Sequence, residues 1–123
     1  MNKTEAEYAK VLERMKRNGD IDEYAYEPET LKIGPDCRYT PDFRVMRTYL
    51  VGQDQNLAII EFHEVKGTTR RIVKVNGIER KEDAPFIMED ALVKIKAAAN
   101  QHPYKFLIVF KGKDGLWKEK EIN

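Results

Sequence analysis

The chain has 123 residues, a length typical of a single domain with one hydrophobic core. Its 35% charged fraction is typical of a water-soluble domain, and no apolar run approaches the roughly 20 residues of a membrane span. The net charge of +1 does not decide for or against a polyanionic partner, and the single cysteine excludes an internal disulfide and a cysteine-based zinc site.

The first predicted element is an amphipathic helix over residues 3–17, with Thr4 as its N-cap and Gly19 as its stop signal. Its apolar side chains recur at a spacing of three to four residues and form one face: Tyr8, Val11, Leu12 and Met15. Residues 23–33 are then predicted to be extended, and a turn follows at residues 34–36.

Two strands are predicted next, over residues 42–50 and 57–66, joined by a polar turn with the sequence GQDQN. The apolar run at residues 57–62 indicates a central strand that is covered on both faces. Residues 70–80 contain an Asn-Gly pair between short β-like runs, which is a strong hairpin signal.

A second helix is predicted over residues 84–101 and ends at His102-Pro103. A buried strand at residues 104–110 and an edge strand within residues 112–122 complete the chain. We therefore expect one α/β (α+β) domain over residues 1–123, with a mixed central sheet flanked by a helix on each side.

Three charged residues are conspicuous because they stand at the ends of predicted apolar strands. Glu64 and Lys66 close the second strand and alternate to the same side of it, while Val65 points to the other side. Asp42 opens the preceding strand, so hairpin pairing would bring the two carboxylates together. Hard oxygen ligands suit Mg²⁺ or Mn²⁺, and Lys66 would orient a water or stabilise charge on a phosphate. The alternative is ordinary surface charge, since a second acid–x–Lys triplet occurs at residues 79–81.

These residues resemble the PD-(D/E)xK nucleases, and within them the junction-resolving endonuclease I family of phages and related small phage endonucleases. Pro41-Asp42 and Glu64-Val65-Lys66 match the two core motifs, and the predicted element order matches the αβββαβ restriction-endonuclease-like core. The likeness spans residues 3–110 and includes the stretches TEAEYAKVLE, RYTPDF, EVKG and NQHP.

The resemblance implies a role for each motif position. Glu5, Asp42 and Glu64 would be metal-binding carboxylates, the backbone carbonyl of Val65 would join the metal shell, and Lys66 would be the catalytic lysine. Glu7 is the alternative to Glu5 on the first helix. The implied activity is Mg²⁺- or Mn²⁺-dependent endodeoxyribonuclease action, selective for branched DNA or Holliday junctions, in the cytoplasm (of the host, if the protein is phage-encoded). A sequence-specific or nicking restriction-like endonuclease and a non-catalytic DNA-binding module are the alternatives.

Basic residues are the predicted contacts to the DNA backbone. The segment 66–81 has six Lys/Arg and one acid, a balance of +5. The predicted DNA-binding residues are Arg70, Arg71, Lys74, Arg80, Lys81, Lys94 and Lys96. The alternatives are a solvated hairpin and, for Lys94, an i,i+4 ion pair with Asp90.

Symmetric cutting of two strands also suggests a homodimer, to which residues 42–66 or 70–81 could supply the contact. This chain is shorter than those of the phage family and has an additional segment after residue 67. The resemblance therefore does not predict that its dimer has the geometry of that family. His63 is predicted to be a packing or surface residue, His102 a helix cap, and Trp117 a core residue.

Overall fold

A six-stranded mixed sheet is the centre of the fold in the computed structural model, which describes all 123 residues. In chain order the elements are α1 (Lys3–Asn18), β1 (Glu23–Tyr26), β2 (Leu31–Gly34), β3 (Cys37–Tyr39), β4 (Phe43–Gly52), β5 (Gln55–Val75), β6 (Ile78–Phe86), α2 (Glu89–Gln101), β7 (Lys105–Lys111) and β8 (Trp117–Ile122). The main strand order is β1-β4-β5-β7-β8, β6 pairs with β5 alone, and β2 and β3 form a separate ribbon. Neither helix has the length and apolar character needed to cross a membrane.

The strand directions and the two helices confirm the expected α+β class with a mixed sheet. β5 and β7 are parallel and are connected through α2, whereas all other strand pairs are antiparallel. The helices cover opposite faces of the sheet. Leu12 of α1 packs in a buried cluster with Phe43, and Ile95 of α2 packs in another with Phe62 and Phe106.

The most unusual element is β5, because its 21 residues extend beyond the core at both ends. The prediction that a five-residue turn precedes this strand is wrong. Gly52 pairs with Gln55, and a tight turn with Asp54 in the left-handed region (φ 61°) joins the strands. The predicted end at residue 66 is also wrong, because the β-branched residues after Gly67 continue the strand and pair with β6.

The predicted Asn-Gly hairpin is confirmed. Asn76 and Gly77 connect β5 to β6 with φ values of 53° and 77°, the positive angles that a two-residue hairpin turn requires. β5 therefore belongs to two protruding hairpins. We call the tip of β4 and β5 (residues 48–58) the first arm and β5 with β6 (residues 67–86) the second arm.

α1 begins at residue 3, as predicted, but its N-cap differs from the predicted one, and α2 begins later than predicted. Asn2, not Thr4, is the N-cap of α1, since its side chain accepts a hydrogen bond from the Glu5 N–H and the Glu5 carboxylate accepts one from the Asn2 N–H. α2 begins at Glu89 rather than at residue 84. Residues 84–86 pair with β5 instead, and Pro85 disfavours a helical conformation of Ala84.

Candidate active site

Asp42 directly precedes β4 and lies beside Glu64, which is in the middle of β5. Phe43 pairs with His63 across these strands, so the next position of the antiparallel register places Asp42 opposite Glu64. The Val65 N–H donates a hydrogen bond of 2.8 Å to Oδ2 of Asp42, and Nζ of Lys66 lies 3.5 Å from Oε2 of Glu64. The structure thus brings together the four residues Asp42, Glu64, Val65 and Lys66, although they come from two strands.

Glu5 reaches the same site from the first turn of α1. It is buried, and it lies close enough to Asp42 to help raise the pKa of that carboxyl group. Glu7 instead points towards Lys111, with 3.5 Å between Oε2 and Nζ. Of the two glutamates considered for the helix position, Glu5 is therefore the one near Asp42.

Two tyrosines orient the glutamates, and the sequence analysis did not predict this role for them. The Tyr39 hydroxyl donates to Oε1 of Glu64 at 2.9 Å, and the Tyr26 hydroxyl donates to Oε2 of Glu5 at 3.3 Å. The sequence feature that could have indicated this role is the position of Tyr39, three residues before Asp42. Together with the Val65 N–H, these donors give each of the three carboxyl groups a hydrogen bond from a different strand.

The charge state of Asp42 reflects this crowding. Burial and, after it, the negative charge of Glu64 raise the pKa of Asp42 to about 8, and Glu5 adds to the rise. The hydrogen bond from the Val65 N–H acts in the opposite direction but is outweighed. Lys66 is the one cation in an ion pair with these carboxylates. The site therefore contains three carboxyl groups but only one ion-paired cation, Lys66, so its negative charge exceeds its positive charge.

A divalent cation is the ligand that this donor set fits. No group of three or more His, Cys, Asp or Glu side chains is arranged to hold a metal ion by itself. Mg²⁺, however, usually retains several waters and takes only one or two protein carboxylates. Asp42 and Glu64 meet that requirement, since they lie side by side and the charge of Glu64 helps to raise the pKa of Asp42.

The predicted DNA-binding residues of the second arm are partly neutralised by their own hairpin. Arg70 lies 3.4 Å from Asp83, Arg71 lies 2.6 Å from Glu82, and Lys74 lies 3.9 Å from Glu79. Arg80 and Lys81 have no ion pair and are exposed. Five basic and three acidic residues occur between residues 67 and 86, a balance of only +2. The balance of +5 was larger because residues 66–81 include Lys66 and exclude Glu82 and Asp83.

The two lysines of α2 form no ion pair with these carboxylates. Lys94 and Lys96 are exposed, and neither forms an ion pair. The alternative that Asp90 pairs with Lys94 is therefore wrong. Lys94 lines an open cleft with Cys37, Met88 and Val93.

A buried chain of polar side chains lies on the α1 face of the sheet, and the sequence analysis did not predict it. The Tyr8 hydroxyl lies 2.6 Å from Nδ1 of His63, and Nε2 of His63 lies 2.9 Å from Oε1 of Glu61. Arg47 completes the chain, with 3.4 Å to the same Glu61 oxygen. Burial alone raises the pKa of Glu61, but the His63 hydrogen bond and the Arg47 charge outweigh it, so that the pKa lies below its usual value. His63 is a packing residue, as expected, with specific hydrogen-bond partners.

The remaining predicted packing and capping residues can also be placed. His102 is the C-cap of α2, and its Nε2 lies 2.8 Å from the Lys32 carbonyl oxygen. Trp117 is half-buried, with its ring centroid 4.9 Å from that of Tyr8. No protein-family model, curated protein or solved structure matches this chain.

Proposed function

We propose that the protein is a metal-dependent endodeoxyribonuclease of the PD-(D/E)xK type that hydrolyses phosphodiester bonds in branched DNA. The observation that carries the proposal is the position of Asp42 directly beside Glu64-Val65-Lys66, where β4 begins and β5 leaves the core sheet. An acid pair with an adjacent lysine at the mouth of a sheet suits metal-assisted attack on a phosphate.

The topology supports the same class. α1 is followed by the antiparallel strands β1, β4 and β5, and then by α2 and the parallel strand β7. This succession corresponds to the αβββαβ core expected from the resemblance. The ribbon of β2 and β3 and the second arm are additions to that core.

The residues of this chain take distinct parts in the proposed chemistry. Asp42 and Glu64 hold Mg²⁺ or Mn²⁺, with the Val65 carbonyl and Glu5 as further ligands. When bound, the metal ion lowers the pKa of a coordinated water and neutralises charge on the phosphate. Lys66 holds the attacking water. A bond forms between the water oxygen and phosphorus, the bond from phosphorus to the 3′ oxygen breaks, and the products carry a 5′-phosphate and a 3′-hydroxyl.

A cleavage assay tests the proposal on plasmid, single-stranded, branched and four-way-junction DNA, each in Mg²⁺, Mn²⁺ or EDTA. We expect cleavage with either metal, none in EDTA, and the highest rate on branched substrates. Glu64→Gln should be inactive but folded, whereas Glu79→Gln, in the exposed second triplet, should keep wild-type activity. Equal activity of Glu64→Gln and the wild type would contradict the proposal. DNA binding without cleavage under any condition would favour the non-catalytic module.

A further inference from the structure

A groove between α1 and the β7–β8 hairpin contains charged and aromatic side chains that the proposed chemistry does not use. It consists of two cavities of about 230 and 240 Å³, which share Val11 and Trp117 as lining residues. We call these two cavities together the α1 groove. It lies on the α1 face of the sheet, whereas Glu64 and Lys66 alternate towards the α2 face.

The lining of the α1 groove is predominantly basic. Lys10 and Arg14 are exposed, lie one helical turn apart and form no ion pair. Lys111 lies opposite them, and its 3.5 Å contact with Glu7 is the one ion pair in this part of the groove. The second cavity adds the acid Glu119 and two cations that already have partners, since Arg47 lies 3.4 Å from Glu61 and Lys118 lies 3.7 Å from Asp114. The lining thus contains five cations and two acids, and Lys10 and Arg14 are its cations without an ion pair.

An aromatic ring is fixed among these cations. Trp117 and Lys111 are partners in the β7–β8 register, so their side chains lie next to each other on the same face. Tyr8 supports the Trp117 ring from the core side, with 4.9 Å between the ring centroids. Trp117 is a lining residue of both cavities.

The α1 groove extends to the same end of the sheet as the candidate active site. Phe110, which precedes Lys111, pairs with Lys66 across β5 and β7. Glu7, at the same end of the groove, is two residues from Glu5 on α1. A strand that lies in this groove would therefore reach the end of the sheet that carries the candidate active site, on the opposite face from Glu64 and Lys66.

We infer that the α1 groove binds a single-stranded segment of nucleic acid, with phosphates on Lys10, Arg14 and Lys111 and a base stacked on Trp117. Cations interleaved with an aromatic ring are typical of single-strand binding, because unpaired bases expose their faces for stacking. A duplex keeps its bases stacked inside, so it would use the cations but not Trp117. The inference rests on the proposed function for DNA as the substrate, and it specifies that the substrate includes an unpaired strand.

The protein contains its own probe for this contact, because Trp117 is its only tryptophan. Titration of the full-length protein with oligodeoxythymidylate in EDTA, where the proposed metal-dependent cleavage is blocked, should quench the tryptophan fluorescence. The apparent affinity should decrease as the salt concentration rises. A duplex of the same length should cause little quenching at concentrations that saturate the single strand.

Two matched double variants locate the contact. Lys10→Glu with Arg14→Glu should weaken oligodeoxythymidylate binding about tenfold or more, since it reverses two phosphate contacts. Arg80→Glu with Lys81→Glu makes the same charge change on exposed residues of the second arm and should leave the quenching nearly unchanged. Melting temperatures of both variants check that they fold.

The outcomes separate this inference from the proposed function. No quenching, equal quenching by the duplex, or equal weakening in the two double variants would overturn the single-strand groove, even if the protein cleaves DNA in Mg²⁺. Quenching that follows the expected pattern would support the groove, even if no substrate is cleaved, and in that case only the nuclease proposal would fail.

Discussion

The backbone N–H of Val65 donates a 2.8 Å hydrogen bond to Oδ2 of Asp42. This bond links the residue that precedes β4 to the middle residue of the Glu64-Val65-Lys66 triplet. It also stabilises the charged form of Asp42, yet the pKa of Asp42 is still raised to about 8 by burial and by the charge of Glu64. The two carboxylates are thus held together in spite of their repulsion, an arrangement that a bound cation would stabilise.

The first prediction concerns this cation. Mg²⁺ or Mn²⁺ should raise the melting temperature of the protein, because a ligand that binds only the folded state stabilises it by mass action. Asp42→Ala should abolish the increase, whereas Asp36→Ala, on an exposed turn residue, should retain it. Differential scanning fluorimetry over a range of metal concentrations measures the effect. An unchanged increase in Asp42→Ala would place the metal elsewhere.

The second prediction concerns pH in the absence of metal. The pKa of Asp42 is about 8 in the folded state, whereas it is about 3.9 in an unfolded chain. The folded protein therefore holds a proton that the unfolded chain releases. The contribution of Asp42 to stability is fully present below about pH 4 and is lost as the pH rises towards 8.

Asp42→Asn keeps the shape of the neutral side chain and removes this titration. In EDTA, the variant should be as stable as the wild type near pH 4 and increasingly more stable up to about pH 9. Chemical denaturation at several pH values measures the difference, with Asp36→Asn as the control. Parallel pH profiles of the wild type and Asp42→Asn would show that Asp42 is not the titrating group.

The part of the site that follows from local pattern was predictable. Strand alternation places Glu64 and Lys66 on one side of β5, and hairpin pairing places Asp42 opposite Glu64. The supporting tyrosines were not predictable in this way, because Tyr26 and Tyr39 belong to short strands whose positions depend on tertiary packing. The end of β5 was predicted wrongly since Gly67 resembles a terminator, whereas pairing with β6 carries the strand past it.

The third prediction compares the two acid–x–Lys triplets. Lys66→Ala should lower the turnover rate by orders of magnitude with little loss of DNA affinity, because one lysine adds little to a distributed phosphate contact. Lys81→Ala should leave turnover nearly unchanged, weaken binding modestly and lower the salt slope by up to about one unit. Single-turnover cleavage and fluorescence anisotropy separate the two effects. Loss of cleavage in Lys81→Ala alone would assign catalysis to residues 79–81.

The fourth prediction concerns the buried chain on the α1 face. Glu61 is an acceptor for Arg47, so His63 donates from Nε2 to Glu61 and its Nδ1 accepts from Tyr8. Tyr8→Phe leaves Nδ1 without a donor at a buried position and should reduce the free energy of unfolding by about 1–3 kcal/mol. Tyr24→Phe, which removes a less buried hydrogen bond to Glu13, is the control and should cost less. Urea denaturation measures both, and equal costs would contradict a special contribution of the buried chain.

The last prediction concerns assembly. Symmetric cutting of two strands requires two active sites, this chain supplies one, and a twofold homodimer supplies the second with no additional sequence. Both arms expose large apolar side chains that a partner subunit could cover: Leu50 is 82% exposed in the first arm and Ile78 is 69% exposed in the second. Sedimentation with junction DNA should give a protein mass of about twice 14.4 kDa, and a cleavage assay should give paired nicks on opposite strands.

The variants Leu50→Asp and Ile78→Asp, compared separately, should identify the arm that forms the contact, because a buried charge disrupts an apolar interface. A strict monomer that nicks only one strand would contradict the junction-resolving function and favour a nicking endonuclease.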